Sequence, residues 1–292
     1  MSSISGLTGL DPTLKIIKKT KIIAIANKES IICGWSLIDK ALKKFKTEFI
    51  PVDSEHFSIW TLIRNTNYSL IDKVYITASG GPFLNWPLKK ILKATPSNAL
   101  KHPNWSMGKK ISVDSATMMN KVFEVIETQR IFNLPKSKIQ ILIHDKSYVH
   151  AIVKFKNGIN KILAHDTNMK IPIFNTIYKD SSKRIKSKYL SIKILNDLSL
   201  NNVDYKKFPL VKLLKTLPKQ NTLYETVVVS ANDTIVDLFL NGKIKFNDIS
   251  KKIFKVINNK EFLKYKNIKP KKIEDIIKLD DLVRLKINLK SI

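Results

Sequence analysis

The sequence is short of cysteine and arginine, and it has no long apolar run and no dinucleotide-type glycine loop. A single cysteine, Cys33, stands in 292 residues. That excludes an internal disulfide framework and suits a reducing, cytoplasmic compartment. No apolar stretch is long enough to span a bilayer; Ile22 to Ala26 is typical, so a membrane is not an expected partner. The N-terminus lacks a basic segment followed by an apolar one, and no secretory signal is expected. Arginine is confined to Arg64, Arg130, Arg184 and Arg284, against 52 basic residues and a formal charge of +28. Arginine is the residue favoured for bidentate recognition of bases and phosphates. The lysines are instead spread through every segment, alongside abundant Ile and Asn, as in an AT-rich coding sequence. Nucleic acid is therefore not an expected partner. The cationic excess should still concentrate small anions such as phosphates.

What is present alternates between helix and strand. Residues 3–9 read as a strand end and glycine turn. Asp11-Pro12 reads as a helix start, with Asp as N-cap and Pro in the first helical position. Ile22 to Ala26 reads as a buried strand, Asn27-Lys28-Glu29-Ser30 as a polar turn, Ile31 to about Phe45 as a helix and Phe49 to Val52 as the next strand. This order implies a parallel sheet. Such a sheet needs several strands, and no strand–Gly-x-Gly-x-x-Gly–helix unit precedes these, so the expectation is that the chain begins partway through a doubly wound domain. Val74 to Ala78 reads as a strand ending in Ser79-Gly80-Gly81-Pro82-Phe83, where the glycines allow the backbone to turn close to a ligand. Ile139 to Ile143 and Ala151 to Phe155 read as antiparallel strands around His144 to His150. Residues 179–207 read as a linker. Helical patterns follow over 208–216, 222–241, 245–259 and 274–287, with Ile235, Leu238 and Phe239 on one face; no chemistry is evident among them.

The most informative stretch is Asp53-Ser54-Glu55-His56, directly after a strand. If the chain stays extended there, Asp53 and Glu55 point to one side. Two carboxylates at a strand's C-terminal end form a seat for a hard divalent cation or a solvated acidic turn. Glu124, on a helix expected to run to about Phe132, offers a third carboxylate or an ordinary exposed glutamate. The loop His102 to Lys110 carries Trp105 and Gly108. It reads as a lid over a site or as a surface loop anchored by its Trp. Ser112, Ser115, Thr117, Asn120 and Lys121, near the start of that helix, are groups that can hold a phosphate.

The motifs Ala26-Asn27-Lys28-Glu29-Ser30, Pro51-Val52-Asp53-Ser54-Glu55-His56, Ser79-Gly80-Gly81-Pro82-Phe83 and the run from His102 to Lys121 closely resemble those of 1-deoxy-D-xylulose 5-phosphate reductoisomerases, over nearly the whole chain. The resemblance implies an α/β fold: a remnant of a doubly wound parallel-sheet NADPH domain (1–47), an α/β catalytic domain (48–178), a linker (179–207) and a C-terminal helical bundle (208–292). It implies metal-dependent rearrangement of 1-deoxy-D-xylulose 5-phosphate and NADPH reduction to 2-C-methyl-D-erythritol 4-phosphate. Asp53, Glu55 and Glu124 would hold Mg²⁺ or Mn²⁺. Ser79, Ser115, Asn120 and Lys121 would bind the phosphate end. Lys28, Ser54, Glu55 and His102 would surround the reacting part of the substrate, with Lys28, Glu55 and His102 as catalytic groups. Trp105 and Met107 would belong to the lid. Asn27, Glu29 and Gly108 would touch NADPH. A homodimer is implied.

The chain departs from that family in four places. The glycine-rich front of the NADPH domain is not in the sequence. His144-Asp145-Lys146-Ser147 replaces His-Pro-Gln-Ser, Thr167-Asn168-Met169-Lys170 replaces Pro-Asp-Met-Arg, and Val229-Ser230-Ala231-Asn232-Asp233 replaces Asn-Ala-Ala-Asn-Glu. No proposed ligand is lost. Three readings remain: the C-terminal part of an enzyme whose N-terminal NADPH domain lies outside this sequence or is encoded separately, a non-catalytic metal and phosphosugar-binding module, or the inactive product of a decaying gene.

Overall fold

The computed structural model describes residues 1–179, 181–188 and 191–289. A 3-10 turn (Leu7–Gly9) runs directly into α1 (Leu10–Ile17), so Gly9 rather than Asp11 occupies the cap and Pro12 is the third helical residue. The first turn needs no intrahelical N–H donors, which is why proline is tolerated there. Strand β1 (Ile22–Ile25) leads into α2 (Lys28–Phe45) and then into β2 (Glu48–Pro51), which pairs with β1 in parallel. The polar turn expected at 27–30 is instead the cap and first turn of α2. Asn27 Oδ1 accepts from the Ser30 N–H at 2.6 Å. Its amide nitrogen donates to the Gly6 carbonyl at 2.8 Å. One side chain thus starts the helix and ties down the N-terminal segment.

The second sheet is mixed. The chain runs through α3 (Ser54–Ile63), β3 (Ile71–Ala78), α4 (Lys109–Ala116), α5 (Met119–Ile131), β4 (Ile139–Ile143), β5 (Val149–Phe155), β6 (Asn160–Ala164), α6 (Lys170–Ile177) and β7 (Asn201–Asn202). The strand order is β6-β5-β3-β4-β7. Strands β4 and β5 run antiparallel as expected, but they are not neighbours: β3 lies between them, parallel to β4 and antiparallel to β5. The connection 144–148 has no Asn-Gly or Gly pair to make a tight hairpin. The buried face of β3, with Val74 and Ile76 wholly inside, is satisfied by taking both partners. Strand β6 escaped the sequence reading because its residues are mostly exposed. The 179–207 stretch includes a short helix (Ile192–Leu195) and β7, which adds to the sheet edge.

Beyond a 3-10 turn at Pro209–Lys215 stand α7 (Leu223–Leu240), α8 (Phe246–Ile257) and α9 (Ile273–Asn288). Helix α7 is apolar on nearly every side and accordingly buried, packed against α2, α4, α8 and α9. It starts with a capping box in which Thr222 Oγ1 donates to Glu225 Oε2 at 2.8 Å and its backbone N–H donates there at 3.0 Å. The other oxygen of this fully buried carboxylate receives Arg130 from the last turn of α5. Arg130 Nη1 also donates to the Lys219 carbonyl at 2.8 Å.

Arg130→Met should therefore destabilise the chain by about 3–5 kcal/mol, because Glu225 would remain buried without its counter-charge. Denaturant unfolding checks this; a change under about 1 kcal/mol would mean that water replaces the guanidinium.

Candidate active site

Three strand ends and one helix start converge on a single place. The chain leaving β1 delivers Lys28, the chain leaving β2 delivers Asp53, Ser54 and Glu55, and the chain leaving β3 delivers Ser79. Open α/β sheets present ligand sites at these carboxyl ends. Asp53 and Glu55 do not alternate along an extended strand. Asp53 is the N-cap of α3, accepting from the Glu55 N–H at 3.2 Å, and Glu55 lies in the first helical turn. The two carboxylates still converge, through cap geometry. Glu124 joins them, with oxygens of all three lying within 4.8 Å of one another. It is 1% exposed, so it is no surface glutamate. The break that aims α5 inward is Met118, a non-glycine residue with φ 63° between α4 and α5. The left-handed backbone there is costly and is held by burial of the Met118 side chain.

Buried like charges demand compensation. Lys121 Nζ lies 2.5 Å from Glu55 Oε1 and 2.6 Å from Glu124 Oε2. Lys28 Nζ donates to Asn120 Oδ1 at 2.6 Å and lies 3.5 Å from Asp53 Oδ2. Burial alone would lower both lysines, but the surrounding carboxylates win and hold them protonated. Burial, then the Glu55 charge, pushes Glu124 up to about 8. Burial likewise works against a charged His56, yet the carboxylates of Glu127, Asp53 and Glu124 lift it to about 9. Its Nδ1 lies 3.2 Å from Asp53 Oδ1 and its Nε2–H donates to the Glu124 carbonyl at 2.9 Å. Oxygen ligands of this charge suit Mg²⁺ or Mn²⁺, and Glu124 Oε1 also accepts from Asn120 Nδ2.

His102 has its tautomer fixed. Nδ1 accepts from the backbone N–H groups of Asn104 and Trp105 at 3.2 and 3.0 Å, so the proton sits on Nε2, which donates to Ser79 Oγ at 3.0 Å. Burial, then the Lys121 charge, pushes His102 down to about 4. Ser79 Oγ also accepts from Gly81 N–H at 3.0 Å, leaving its own proton for a ligand. Gly81 has φ +66°, and a Cβ on it would meet the Ser115 carbonyl at 2.7 Å. This close approach sets the turn after Ser79 against the Ser115 backbone.

A cavity of about 230 Å³ is lined by Lys28, Asp53, Ser54, Glu55, Ser79, His102, Trp105, Met107, Ser115, Asn120, Lys121 and Glu124. The loop His102 to Gly108 therefore covers the site, with Trp105 half-buried in its wall. Asn27, Glu29 and Gly108 lie outside this wall: Asn27 and Gly108 cap α2 and α4, and Glu29 faces Lys110. The sequence reading missed His150, Ser147, Thr77 and Met169, which also line the cavity. His150 stacks on His165 with ring centroids 3.7 Å apart and faces Trp105 at 6.0 Å. Burial, then His165, pushes it down to about 3. Two histidines at 150 and 165 bracketing a hairpin were the available signal.

Lys110 carries a second charge cluster. Its ammonium lies 2.9 Å from Glu29, 3.4 Å from Asp114 and 2.9 Å from Asp233. Asn232 donates to Asp114 at 2.7 Å, and Arg284 reaches Asp233 at 3.1 Å. Helices α7 and α9, in which the sequence shows no chemistry, thus hold the helix that follows the lid.

A polar cavity of this kind, at the strand ends of an α/β fold, is a small-molecule site in an enzyme. The sequence pattern described as "1-deoxy-D-xylulose 5-phosphate reductoisomerase" matches residues 1–34, that of its C-terminal domain matches 49–132, and "DXP reductoisomerase C-terminal domain" matches 165–286. The 1-deoxy-D-xylulose 5-phosphate reductoisomerase of Pelagibacter ubique (strain HTCC1062) is 60% identical over 292 residues, covering 100% of this chain and 75% of that protein. The corresponding protein of Sulfurihydrogenibium sp. (strain YO3AOP1) is 38% identical over 92% of this chain and 70% of its own length. A solved DOX-P reductoisomerase in complex with NADPH, fosmidomycin and magnesium superposes with a TM-score of 0.90 at 33% identity, covering 99% of this chain and 74% of that one. The Zymomonas mobilis enzyme in complex with NADPH gives 0.86 at 33% identity, over 98% and 73%. The chain belongs to the 1-deoxy-D-xylulose 5-phosphate reductoisomerase family.

Glu124→Gln keeps the shape and removes one anionic ligand. Mg²⁺ affinity should fall about 100-fold or more with the fold intact, read by calorimetry and circular dichroism; unchanged affinity would contradict the three-carboxylate seat. His102 is neutral in the fold and has an ordinary value of 6.5 when unfolded. The unfolded chain therefore binds the extra proton first, and stability at the lid should be lost as pH falls from about 6.5 to about 4. The protection of amides 102–108, corrected for the intrinsic exchange rate at each pH, should fall across that window in the parent and not in His102→Asn.

Proposed function

We propose that this chain performs the metal-dependent rearrangement of 1-deoxy-D-xylulose 5-phosphate and its reduction by NADPH to 2-C-methyl-D-erythritol 4-phosphate. The observation that carries this is the convergence of Asp53, Glu55 and Glu124 with Lys28 and the Ser79–His102 pair in one covered cavity. Asp53, Glu55 and Glu124 are assigned to Mg²⁺ or Mn²⁺, which when bound supplies Lewis-acid polarisation of substrate oxygens. Lys28 brings a fixed positive charge beside those carboxylates, where negative charge on a substrate oxygen would be stabilised. Neutral His102 donates to Ser79, whose hydroxyl is then turned to the phosphate end together with Ser115, Asn120 and Lys121. Ser54, donating to Glu55 Oε2 at 2.5 Å, holds that carboxylate in place. Trp105 and Met107 exclude water from a reaction with reactive intermediates. Asn27, Glu29 and Gly108 are assigned to NADPH, with the nucleotide phosphates falling to a glycine-rich N-terminal domain supplied with this chain.

The division into 1–47, 48–178, 179–207 and 208–292 is retained within this reading, as is cytoplasmic action; among the described residues no helix is long and apolar enough to cross a membrane. A homodimer is assigned through the exposed strand β6 and its neighbours, where Ile159, Ile162, Ile177 and Tyr178 lie open. Sedimentation should give twice the chain mass.

The test is NADPH oxidation with 1-deoxy-D-xylulose 5-phosphate and Mg²⁺ or Mn²⁺, by the chain alone and by the chain completed with the N-terminal portion of a relative. Turnover in the completed protein, lost about 100-fold or more in Lys28→Met, is expected. Turnover in neither would overturn the catalytic reading; substrate binding without turnover would favour the phosphosugar-binding module.

A further inference from the structure

Three carboxylates and two ammonium groups share the cavity. With all ionised, Asp53, Glu55 and Glu124 against Lys28 and Lys121 leave one net negative charge. A divalent cation turns that into one net positive charge, and a phosphate dianion restores the negative sign. Such alternation in a low-dielectric cavity couples the two ligands. The position of Lys121 makes the coupling specific. Its ammonium bridges Glu55 Oε1 at 2.5 Å and Glu124 Oε2 at 2.6 Å, so it uses oxygens that a cation would need. It stands one residue from Asn120 in the first turn of α5, and both line the cavity with Ser79, His102 and Ser115.

We propose that Lys121 is a positioning residue that exchanges partners: it neutralises Glu55 and Glu124 until a divalent cation takes them, and is then released to the phosphate group of the substrate. This rests on the metal and phosphate assignments above and adds an order to them. Lys121 contributes to anion affinity only once the metal is in place. Metal binding then makes the phosphate site, and by linkage a bound phosphate tightens the metal by the same factor. Lys28 does not share this role. Its closest contact is Asn120 Oδ1 at 2.6 Å, with Asp53 at 3.5 Å and Glu124 at 4.0 Å.

The experiment is a calorimetric cycle on the full chain with Mg²⁺ and inorganic phosphate as probes, free concentrations corrected for their pairing in solution. The parent is compared with Lys121→Met and Lys121→Gln, folding being checked by circular dichroism; the glutamine variant serves where methionine does not fold. Without Mg²⁺, parent and variant should bind phosphate within about twofold of each other. With Mg²⁺ saturating, the variant should bind phosphate about tenfold or more weakly than the parent. Without phosphate, the variant should bind Mg²⁺ more tightly, because the competing ammonium is gone. A variant that weakens phosphate by the same factor with and without Mg²⁺ would overturn the exchange and leave the site assignment standing. A parent that binds no Mg²⁺ at all would overturn the metal assignment, and the exchange with it.

Discussion

The structure turns on the burial of mutually repelling carboxylates. Asp53, Glu55 and Glu124 cannot share an interior unless cations stand beside them, and much of the architecture supplies those cations. Helix α2 begins where it does so that Lys28 arrives from β1. Helix α5 is broken from α4 at Met118, at the expense of a left-handed backbone, so that Lys121 and Glu124 share one inward face. His56 is held charged by Glu127, Asp53 and Glu124. Removing any one member leaves the others exposed to an unfavourable field, so these residues act as a unit.

Much of this was legible in the residues. The apolar runs at β1, β2 and β3 and the helical spacing of α7, α8 and α9 lie where the pattern puts them, because burial there is continuous or one-sided. The carboxylate trio was also legible, though the geometric reason was different: Asp53 and Glu55 meet through an N-cap and its first turn, and the polarity that marks a turn also marks a helix start. The neighbour relations of β4 and β5 were not legible, since pairing depends on which strand is most deeply buried and not on sequence order. His150 was not legible because a histidine at a strand start looks the same whether it faces a cavity or the core. The tie from α7 to the lid was hidden for another reason. Asp233 and Lys110 are far apart in sequence, and neither has a local partner pattern that announces the contact.

That tie changes how the helical segment is understood. Among its described residues none lines the cavity wall, yet Asp233, Asn232 and Arg284 anchor Lys110 and Asp114, and Lys110 in turn holds Glu29. The segment fixes the start of the helix that follows the loop His102 to Gly108. Aspartate at 233 is one methylene shorter than glutamate, and Lys110 Nζ still reaches it at 2.9 Å, so the long lysine side chain absorbs the difference.

The many lysines of this chain form two chemical populations. Most project into water. Lys28, Lys110 and Lys121 are different: each is surrounded by carboxylates that keep its nitrogen protonated, and an ammonium has no lone pair to offer. The lysines that face the buried carboxylates are therefore poor nucleophiles. The same acids that shape the site protect its lysines from chemical modification.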